Sequence, residues 1–220
     1  MRSSEPASCV FGATGRDQPI HLWDAFDGHL RASYCAHNEV DDVVGASSVS
    51  FAHRGELLIG GYRGTLRVFD VSRPGPDCSV ISTRRRKGKC LFGESQPGIL
   101  SSISVTDDPH ACGGSGGLVA VGSYDRSIHM YSLADLQWQA QLPLYHLGGV
   151  TQLEHLGSTY LLSAARKDPH ILCWDLRYLT RPVASFTRIA NSNQHVSFDV
   201  VGQHTLISAS LDGHVGVHNA

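Results

Sequence analysis

Residues 168–175 read Asp-Pro-His-Ile-Leu-Cys-Trp-Asp, and the pattern of this stretch occurs five times along the chain. In each copy a turn leads into a short apolar or β-branched run, which ends in an aromatic residue or histidine and a small polar residue. The closing pairs are Trp23-Asp24, Phe69-Asp70, Tyr131-Ser132, Trp174-Asp175 and His218-Asn219. Successive copies are 46, 62, 43 and 44 residues apart. The chain is therefore built from repeats.

A second register supports this interpretation. The residues six positions before the closing aromatics are Asp17, Arg63, Asp125, Asp168 and Asp212, so four of the five are aspartate. Three of the four intervals match the roughly 40–45 residues of a WD-repeat blade. The sequence therefore predicts an all-β, WD40-type β-propeller that occupies residues 1–220 as one domain, with repeats that end near residues 24, 70, 132, 175 and 219.

Alternating apolar residues and glycine-bearing turns predict the individual strands. In the second repeat they lie at Leu30–Tyr34, Ser47–Phe51, Leu57–Gly61 and Thr65–Asp70. The longest interval predicts a loop insertion at about residues 72–98. The first repeat has room for only two strands of its own and the last stops after its third, which gives 18 strands, or about four and a half blades. We expect an incomplete propeller that does not close, a fragment of a larger one.

Composition and motifs limit the possible functions. The hydrophobic content of 41% and the charged content of 17% are ordinary for a globular chain. No apolar run approaches the roughly 20 residues of a membrane helix. The sequence has no HExxH, CxxC, Walker or GxSxG motif, so it predicts no metal, no cofactor, no small-molecule substrate and no enzymatic activity. A net charge of −2 argues against a globally basic nucleic-acid binder, but a local basic patch stays possible.

The repeated polar residues have a structural interpretation. In the fourth repeat, His146, Ser163 and Asp168 occupy positions at which a WD repeat forms a buried network with the closing Trp174. Buried polar groups of this kind fix strands and need no access to solvent. We assign the same structural role to Trp23, Asp17, Asp125 and Asp212. Arg63 replaces the aspartate of the second repeat and is a candidate for a function.

The residues around these turns suggest a binding surface. The position before the aspartate is expected to project from the top face of a propeller. That position and its basic neighbours give a ring of cations with two tyrosines: Arg16, Tyr62, Arg63, Tyr124, Arg126, Arg166 and Lys167. Cations neutralise phosphates and tyrosines stack bases, which suits single-stranded RNA. Because tyrosine and arginine are also favoured at protein interfaces, a protein partner remains an alternative.

A basic run adds a second candidate site. It comprises Arg84, Arg85, Arg86, Lys87 and Lys89 within the predicted insertion. The run fits a nuclear-import signal or a phosphate-contacting loop, and equally a solvated loop.

Several stretches that lie partly outside the repeat pattern resemble one family, the telomerase Cajal body proteins. They are Pro19–Phe26, Gly28–Tyr34, Leu66–Phe69, Arg73–Cys78, Ala165–Asp168 and Leu172–Arg177. The resemblance runs from about Ala13 to Ala220 with the motif order preserved. It does not extend to the basic run or to the glycine-rich stretch 113–117. By comparison with the family, the chain lacks about the first blade and the last.

The resemblance implies a function. Members of this family bind the CAB-box loop of small Cajal-body RNAs and of telomerase RNA, and retain those ribonucleoproteins in Cajal bodies of the nucleus. It also implies folding with the help of the cytosolic chaperonin, as expected for a fold with many non-local strand pairings. The alternative is a general WD-repeat scaffold that binds other proteins.

Overall fold

Short antiparallel strands form almost all of the regular structure. The computed structural model describes residues 10–84, 95–107, 117–202 and 205–219. Over these residues the chain forms 18 strands in five sheets, with one 3₁₀ turn at His53–Gly55 and no α-helix. No helix in this part of the chain is long and apolar enough to cross a membrane.

The strands follow one another along the chain, and each sheet contains only strands that are consecutive in sequence. Sheets 1 and 2 contain β1 (Val10–Ala13), β2 (Ile20–Asp24) and β3 (Leu30–Tyr34), then β4 (Ser48–Ala52), β5 (Leu57–Gly61), β6 (Thr65–Asp70) and β7 (Ser79–Ser82). Sheets 3 and 4 contain β8 (Leu100–Thr106), β9 (Leu118–Ser123), β10 (Ile128–Ser132) and β11 (Trp138–Gln141), then β12 (Val150–Leu156), β13 (Tyr160–Ala165), β14 (His170–Asp175) and β15 (Ala184–Thr187). Sheet 5 contains β16 (Phe198–Val201), β17 (Thr205–Ala209) and β18 (Val215–Asn219).

The all-β prediction is confirmed, and so is the absence of ring closure among the described strands, because no pairing joins sheet 5 to sheet 1. The strands predicted at Leu57–Gly61 and Thr65–Asp70 have those bounds in the structure. One detail differs. The segment predicted as a loop insertion, residues 72–98, contains strand β7. This strand pairs with β6 through Ile81 opposite Leu66, and Ile81 packs against the core between sheets 2 and 3.

Hydrophobic clusters lie between successive sheets, and each cluster draws on two of them. Ile20 of sheet 1 packs with Leu58 and Phe69 of sheet 2, and Leu66 packs with Val119 of sheet 3. The two faces of one sheet serve different neighbours because side chains alternate along a strand. In sheet 4, for example, Leu161 and Trp174 face sheet 3, whereas Leu162 and Cys173 face sheet 5.

Glycine permits close contact between sheets 3 and 4. A Cβ at Gly122 would lie 2.5 Å from Val150 Cγ1 and 2.6 Å from Ser102 Oγ. The distance to Val150 of sheet 4 is far below van der Waals contact, so the two sheets can approach this closely only while residue 122 has no side chain, and Ser102 within sheet 3 leaves no room for one either.

We predict that Gly122→Ala lowers the free energy of unfolding by about 1–3 kcal/mol, because the added methyl group forces the sheets apart. Gly12→Ala is the matched control. It also lies in a strand, but its Cβ would meet neighbours at ordinary distances of 3.6–3.9 Å. Urea unfolding followed by fluorescence measures both changes. Equal stability of the two variants would contradict the packing described above.

A buried histidine makes stability depend on pH. His129 on β10 has no solvent exposure, and neither of its ring nitrogens has a hydrogen-bond partner among the residues that the structure describes. Burial lowers the pKa of His129 to about 4, although the nearby Asp125 opposes this shift. The native state therefore holds this imidazole in its neutral form.

Because the pKa of His129 is lower in the folded than in the unfolded chain, its contribution to stability is present above about pH 6.5. It is lost as the pH falls towards about 4. We predict that His129→Leu reduces the loss of melting temperature between pH 7 and pH 5. The exposed His29 gives the control substitution His29→Leu, which should leave that loss unchanged. A pH profile of His129→Leu identical to that of the parent chain would contradict this assignment.

Candidate nucleic-acid interface

Four buried polar side chains join strands β13 and β14, the turn between them and the segment that precedes β12. The carboxylate of Asp168 lies 2.7 Å from Nδ1 of His146, and Nε2 of His146 lies 2.7 Å from the hydroxyl of Ser163. The indole N–H of Trp174 donates to the same hydroxyl oxygen at 2.8 Å. With Nδ1–H donating to the carboxylate, Nε2 accepts the hydroxyl hydrogen of Ser163, so each group in the network has a partner.

The order Ser163, His146, Asp168 resembles a catalytic triad, but its surroundings do not permit that chemistry. The side chains of His146 and Asp168 are 1% and 2% exposed, and Ser163 is fully buried. Trp174 also occupies the hydroxyl oxygen of Ser163. A nucleophile needs access to its substrate, and this hydroxyl has none. The cluster holds strands together.

Hydrogen bonds stabilise the charge within this network. Burial opposes ionisation of Asp168, but His146 and the backbone N–H groups of His170 and Leu147 donate to the carboxylate and outweigh that effect. As a result the pKa of Asp168 is below its ordinary value. Its contribution to stability is therefore present above the pKa of an unfolded aspartate and is lost as the pH falls through the lower folded value.

We predict that Ser163→Ala lowers the free energy of unfolding by about 2–4 kcal/mol, because it leaves buried groups of His146 and Trp174 without partners. Ser185→Ala in strand β15 of the same sheet is the control, since that hydroxyl bonds His170 at an exposed site. Thermal unfolding followed by circular dichroism measures both. A cost for Ser163→Ala no larger than that of the control would show that the network is not structural.

Among the described residues, none of the remaining aspartates bonds a buried histidine, although Asp125 accepts the hydroxyl of the buried Ser127, which in turn accepts from Gln96. Asp17, Asp125 and Asp212 are exposed. Asp125 and Asp212 each accept the backbone N–H two residues further on and so close their turns. Asp17 forms an exposed ion pair with Arg16 at 3.4 Å. Trp23 is partly buried and contacts the ring of His21.

In sheet 2, the side chain of Arg67 on strand β6 takes the place of this network. Arg67 donates from Nη2 to the carbonyl of His37 at 2.6 Å, and its guanidinium lies 5.2 Å from the ring centre of Tyr62. This arrangement overturns the prediction that Tyr62 is exposed, because Tyr62 is 5% exposed and packs between sheets 1 and 2. Gly60 leaves room for the ring, which lies 3.0 Å from the position of a Cβ there. Burial raises the pKa of Tyr62 to about 12.

The turns between the second and third strands of each propeller repeat lie next to one another in space. We call these five turns the top surface: residues 14–19, 62–64, 124–127, 166–169 and 210–214.

The segment that leads into each of sheets 2 to 5 bridges two of these turns. Gly64 donates to Gly98 and Tyr124 donates to Ile99, so one such segment joins the second and third turns. Gly149 lies against Tyr124 and accepts from Arg166, which joins the third and fourth. Equivalent contacts join the remaining turns: Thr14 to Ala46, Ser47 to Gly61, Lys167 to Ser192 and Leu211 to Ile189.

An aromatic–cation pair occupies the boundary between sheets 3 and 4 on the top surface. Tyr124 is 41% exposed, and the guanidinium carbon of Arg166 lies 4.3 Å from its ring centre. Nη2 of Arg166 also donates to the Tyr124 hydroxyl at 2.6 Å. Lys167 and Arg126 are exposed beside this pair. Four of the predicted ring residues therefore lie in two neighbouring turns.

The other predicted cations lie on either side. Arg63 is exposed in the second turn, and its carbonyl accepts a bond of 3.2 Å from Nη2 of Arg84. Arg84, the first residue of the basic run, therefore lies on the top surface although the repeat pattern did not place it there. Arg16 is 95% exposed in the first turn. The rest of the run, Arg85, Arg86, Lys87 and Lys89, lies outside the described residues.

Two of these cations, Arg126 and Lys167, have a positive φ, and the repeat shows what this means for Arg126. In three turns the residue after the aspartate position has a positive φ: 70° at Gly64, 85° at Gly213 and 77° at Arg126. Glycine adopts this conformation without strain, whereas arginine does not. Arg126 therefore stands where the fold favours glycine.

The described residues provide no metal centre, because no group of three His, Cys, Asp or Glu side chains among them could hold a metal ion. Charge and aromatic surface are the chemical resources of the top surface. It can bind phosphates through its cations and a planar group through Tyr124.

The sequence is similar to those of several known proteins. No model of a protein family matches the sequence. The sequence is 38% identical over 226 residues to telomerase Cajal body protein 1 of Bos taurus and 38% identical over 224 residues to that of Homo sapiens. It is 34% identical over 226 residues to the Drosophila melanogaster homolog. These alignments cover 99% of the chain but 38%, 37% and 38% of the relatives, so the chain spans less than two fifths of their length.

Solved structures support the fold. The WD40 β-propeller domain of Doa1 superimposes with a TM-score of 0.67 at 19% identity, over 97% of this chain and 62% of that one. A chain of the mitotic checkpoint complex superimposes with a TM-score of 0.63 at 16% identity, over 91% of this chain and 54% of that one. The WD40-type prediction is confirmed.

Proposed function

Because this chain belongs to the family of telomerase Cajal body protein 1, we propose that it is a non-enzymatic RNA-binding propeller segment. Its ligand is a loop of small Cajal-body RNAs or telomerase RNA, and its binding helps to hold those ribonucleoproteins in nuclear Cajal bodies. The cytosolic chaperonin assists its folding. The observation that carries the proposal is the exposed Tyr124–Arg166 pair with the cations on either side of it.

Different residues of the top surface can bind the phosphates and the bases of an RNA loop. Arg16, Arg63 and Lys167 are exposed and can each neutralise a phosphate. Arg166 covers one face of Tyr124, so the other face is the one on which an unpaired base can stack. Tyr62 is buried and has no part in the contact. Arg126 supports the proposal, because a cation with a strained backbone at a position that favours glycine lowers the stability of the fold and does not strengthen it in any other way.

We predict that Tyr124→Ala weakens binding of an RNA hairpin with a CAB-box loop by about tenfold, since one base stack is worth about 1–3 kcal/mol. Arg63→Glu and Lys167→Glu should weaken binding further and reduce its salt dependence by about one phosphate contact each. Fluorescence anisotropy at several salt concentrations measures both effects. Arg181→Glu is the control, because Arg181 is an exposed cation at the opposite end of sheet 4.

Arg126→Gly is expected to change the stability of the chain and its RNA affinity in opposite directions. It should raise the melting temperature, because it removes the strained backbone conformation, and weaken hairpin binding, because it removes a cation. RNA affinity that is unchanged in all four top-surface variants would show that this surface is not the RNA site.

A protein scaffold is the second candidate, and one feature favours it. The segment leading into sheet 4 exposes three apolar side chains, with Leu144 at 55%, Tyr145 at 51% and Leu147 at 68%. Leu147 lies beside the fourth turn, since its backbone N–H donates to Asp168. A protein partner on this segment would bind with little dependence on salt, whereas RNA binding would weaken steeply as salt is added.

A further inference from the structure

Sheet 5 contains a cavity at the positions that sheet 4 fills with its buried network. Its volume is about 280 Å³, and its walls are the end of β15, the following residues and the inner face of β17 and β18. Arg188, Ser208, Asp212 and His218 line it. They correspond in place to His146, Ser163, Asp168 and Trp174 of sheet 4, so the cavity is an altered copy of that network.

Two substitutions within the repeat explain the empty space. His218 lies six residues after Asp212, as Trp174 lies six residues after Asp168, and a smaller ring occupies the position of the indole. Gly216 pairs opposite Ser208, whereas Leu172 pairs opposite Ser163. The Nε2 atom of His218 lies 2.9 Å from the position of a Cβ at Gly216, so the imidazole leans into the room that the glycine leaves.

A buried guanidinium lines this cavity, and no described residue forms an ion pair with it. Arg188 is only 6% exposed, and its Nε has no hydrogen-bond partner within the described part of the chain. Nη1 makes two long contacts, 3.3 Å to the carbonyl of Ser197 and 3.5 Å to the hydroxyl of Ser208. Burial lowers the pKa of Arg188, although Asp168 opposes this shift. A buried charge of this kind is costly unless an anion pairs with it.

The aspartate of this repeat does not supply that anion. Asp212 binds Nδ1 of His214 at 3.1 Å and accepts the backbone N–H of the same residue. It therefore lies at the rim with its own partner, whereas the equivalent Asp168 in sheet 4 points inward to His146. The cavity therefore has hydrogen-bond donors like those of the network in sheet 4, but it has no inward-pointing carboxylate to accept from them.

We propose that this cavity binds a phosphate monoester, carried on a phosphorylated side chain of a partner protein. The guanidinium of Arg188 is the principal donor, and the hydroxyl of Ser208 and Nε2 of His218 complete the donor set around a tetrahedral oxyanion. A phosphate at the end of a side chain can enter a cavity and reach a buried arginine. An internal phosphodiester of RNA carries a sugar on each side, and its neighbouring phosphates would meet Asp212 at the rim.

Calorimetric titration with O-phosphoserine, inorganic phosphate and a dinucleotide with one internal phosphodiester tests the proposal. We expect phosphoserine to bind more tightly than the other two. Arg188→Met should weaken its binding by about tenfold or more, because a charge-assisted hydrogen bond is worth at least that factor. Arg181→Met removes an exposed arginine at the other end of sheet 4, away from the cavity, and should bind phosphoserine as the parent chain does.

His218→Trp provides an independent variant. It restores the residue that sheet 4 uses, so it should fill the cavity, raise the melting temperature and abolish phosphoserine binding. This variant decides the question even if Arg188→Met fails to fold. Absence of phosphoserine binding to the parent chain, or equal binding by His218→Trp, would overturn the proposal. Tighter binding of the dinucleotide or of free phosphate would overturn the assignment to a side chain.

Discussion

The contact on which this architecture depends is the one between each turn of the top surface and the segment that leads into the next sheet. Backbone hydrogen bonds such as Gly64 to Gly98 and Lys167 to Ser192 make it. They satisfy polar groups of loops that would otherwise be left unpaired where sheets meet. They also bring side chains from neighbouring sheets together, so that Tyr124 of one sheet meets Arg166 of the next. Residues at equivalent positions of successive repeats therefore lie close together on the top surface.

Close approach at this contact requires small residues. A Cβ at Gly148 would lie 2.0 Å from the carbonyl oxygen of Arg166, and one at Gly45 would lie 2.2 Å from that of Gly15. Backbone atoms cannot move aside as a flexible side chain can. The glycines of the connecting segments therefore help to assemble the surface.

Much of the fold could be predicted from the sequence because strands, turns and their spacing are local properties. The strand Thr65–Asp70 is one example, and the membership of the His146 network is another. Burial across sheets could not be predicted in the same way. Tyr62 turns inward because Gly60, two residues earlier on β5, leaves space and Arg67 covers its ring, and no repeat pattern predicts that combination. Arg188 was missed because it lies 24 residues before Asp212, whereas His146 lies 22 residues before Asp168, and because its significance comes from the partner that it lacks among the described residues.

The placement of each hydrophobic cluster between two successive sheets has a consequence for how the molecule opens. Stability in such an array is approximately the sum of what each unit contributes and what each pair of neighbours contributes. Sheet 3 shares apolar clusters with a sheet on either side, whereas among the described residues sheets 1 and 5 each share one. Amide protons of β9 should therefore exchange with solvent last, and those of β1 and β18 first. Protection would then fall in steps from the middle of the array towards both of its ends.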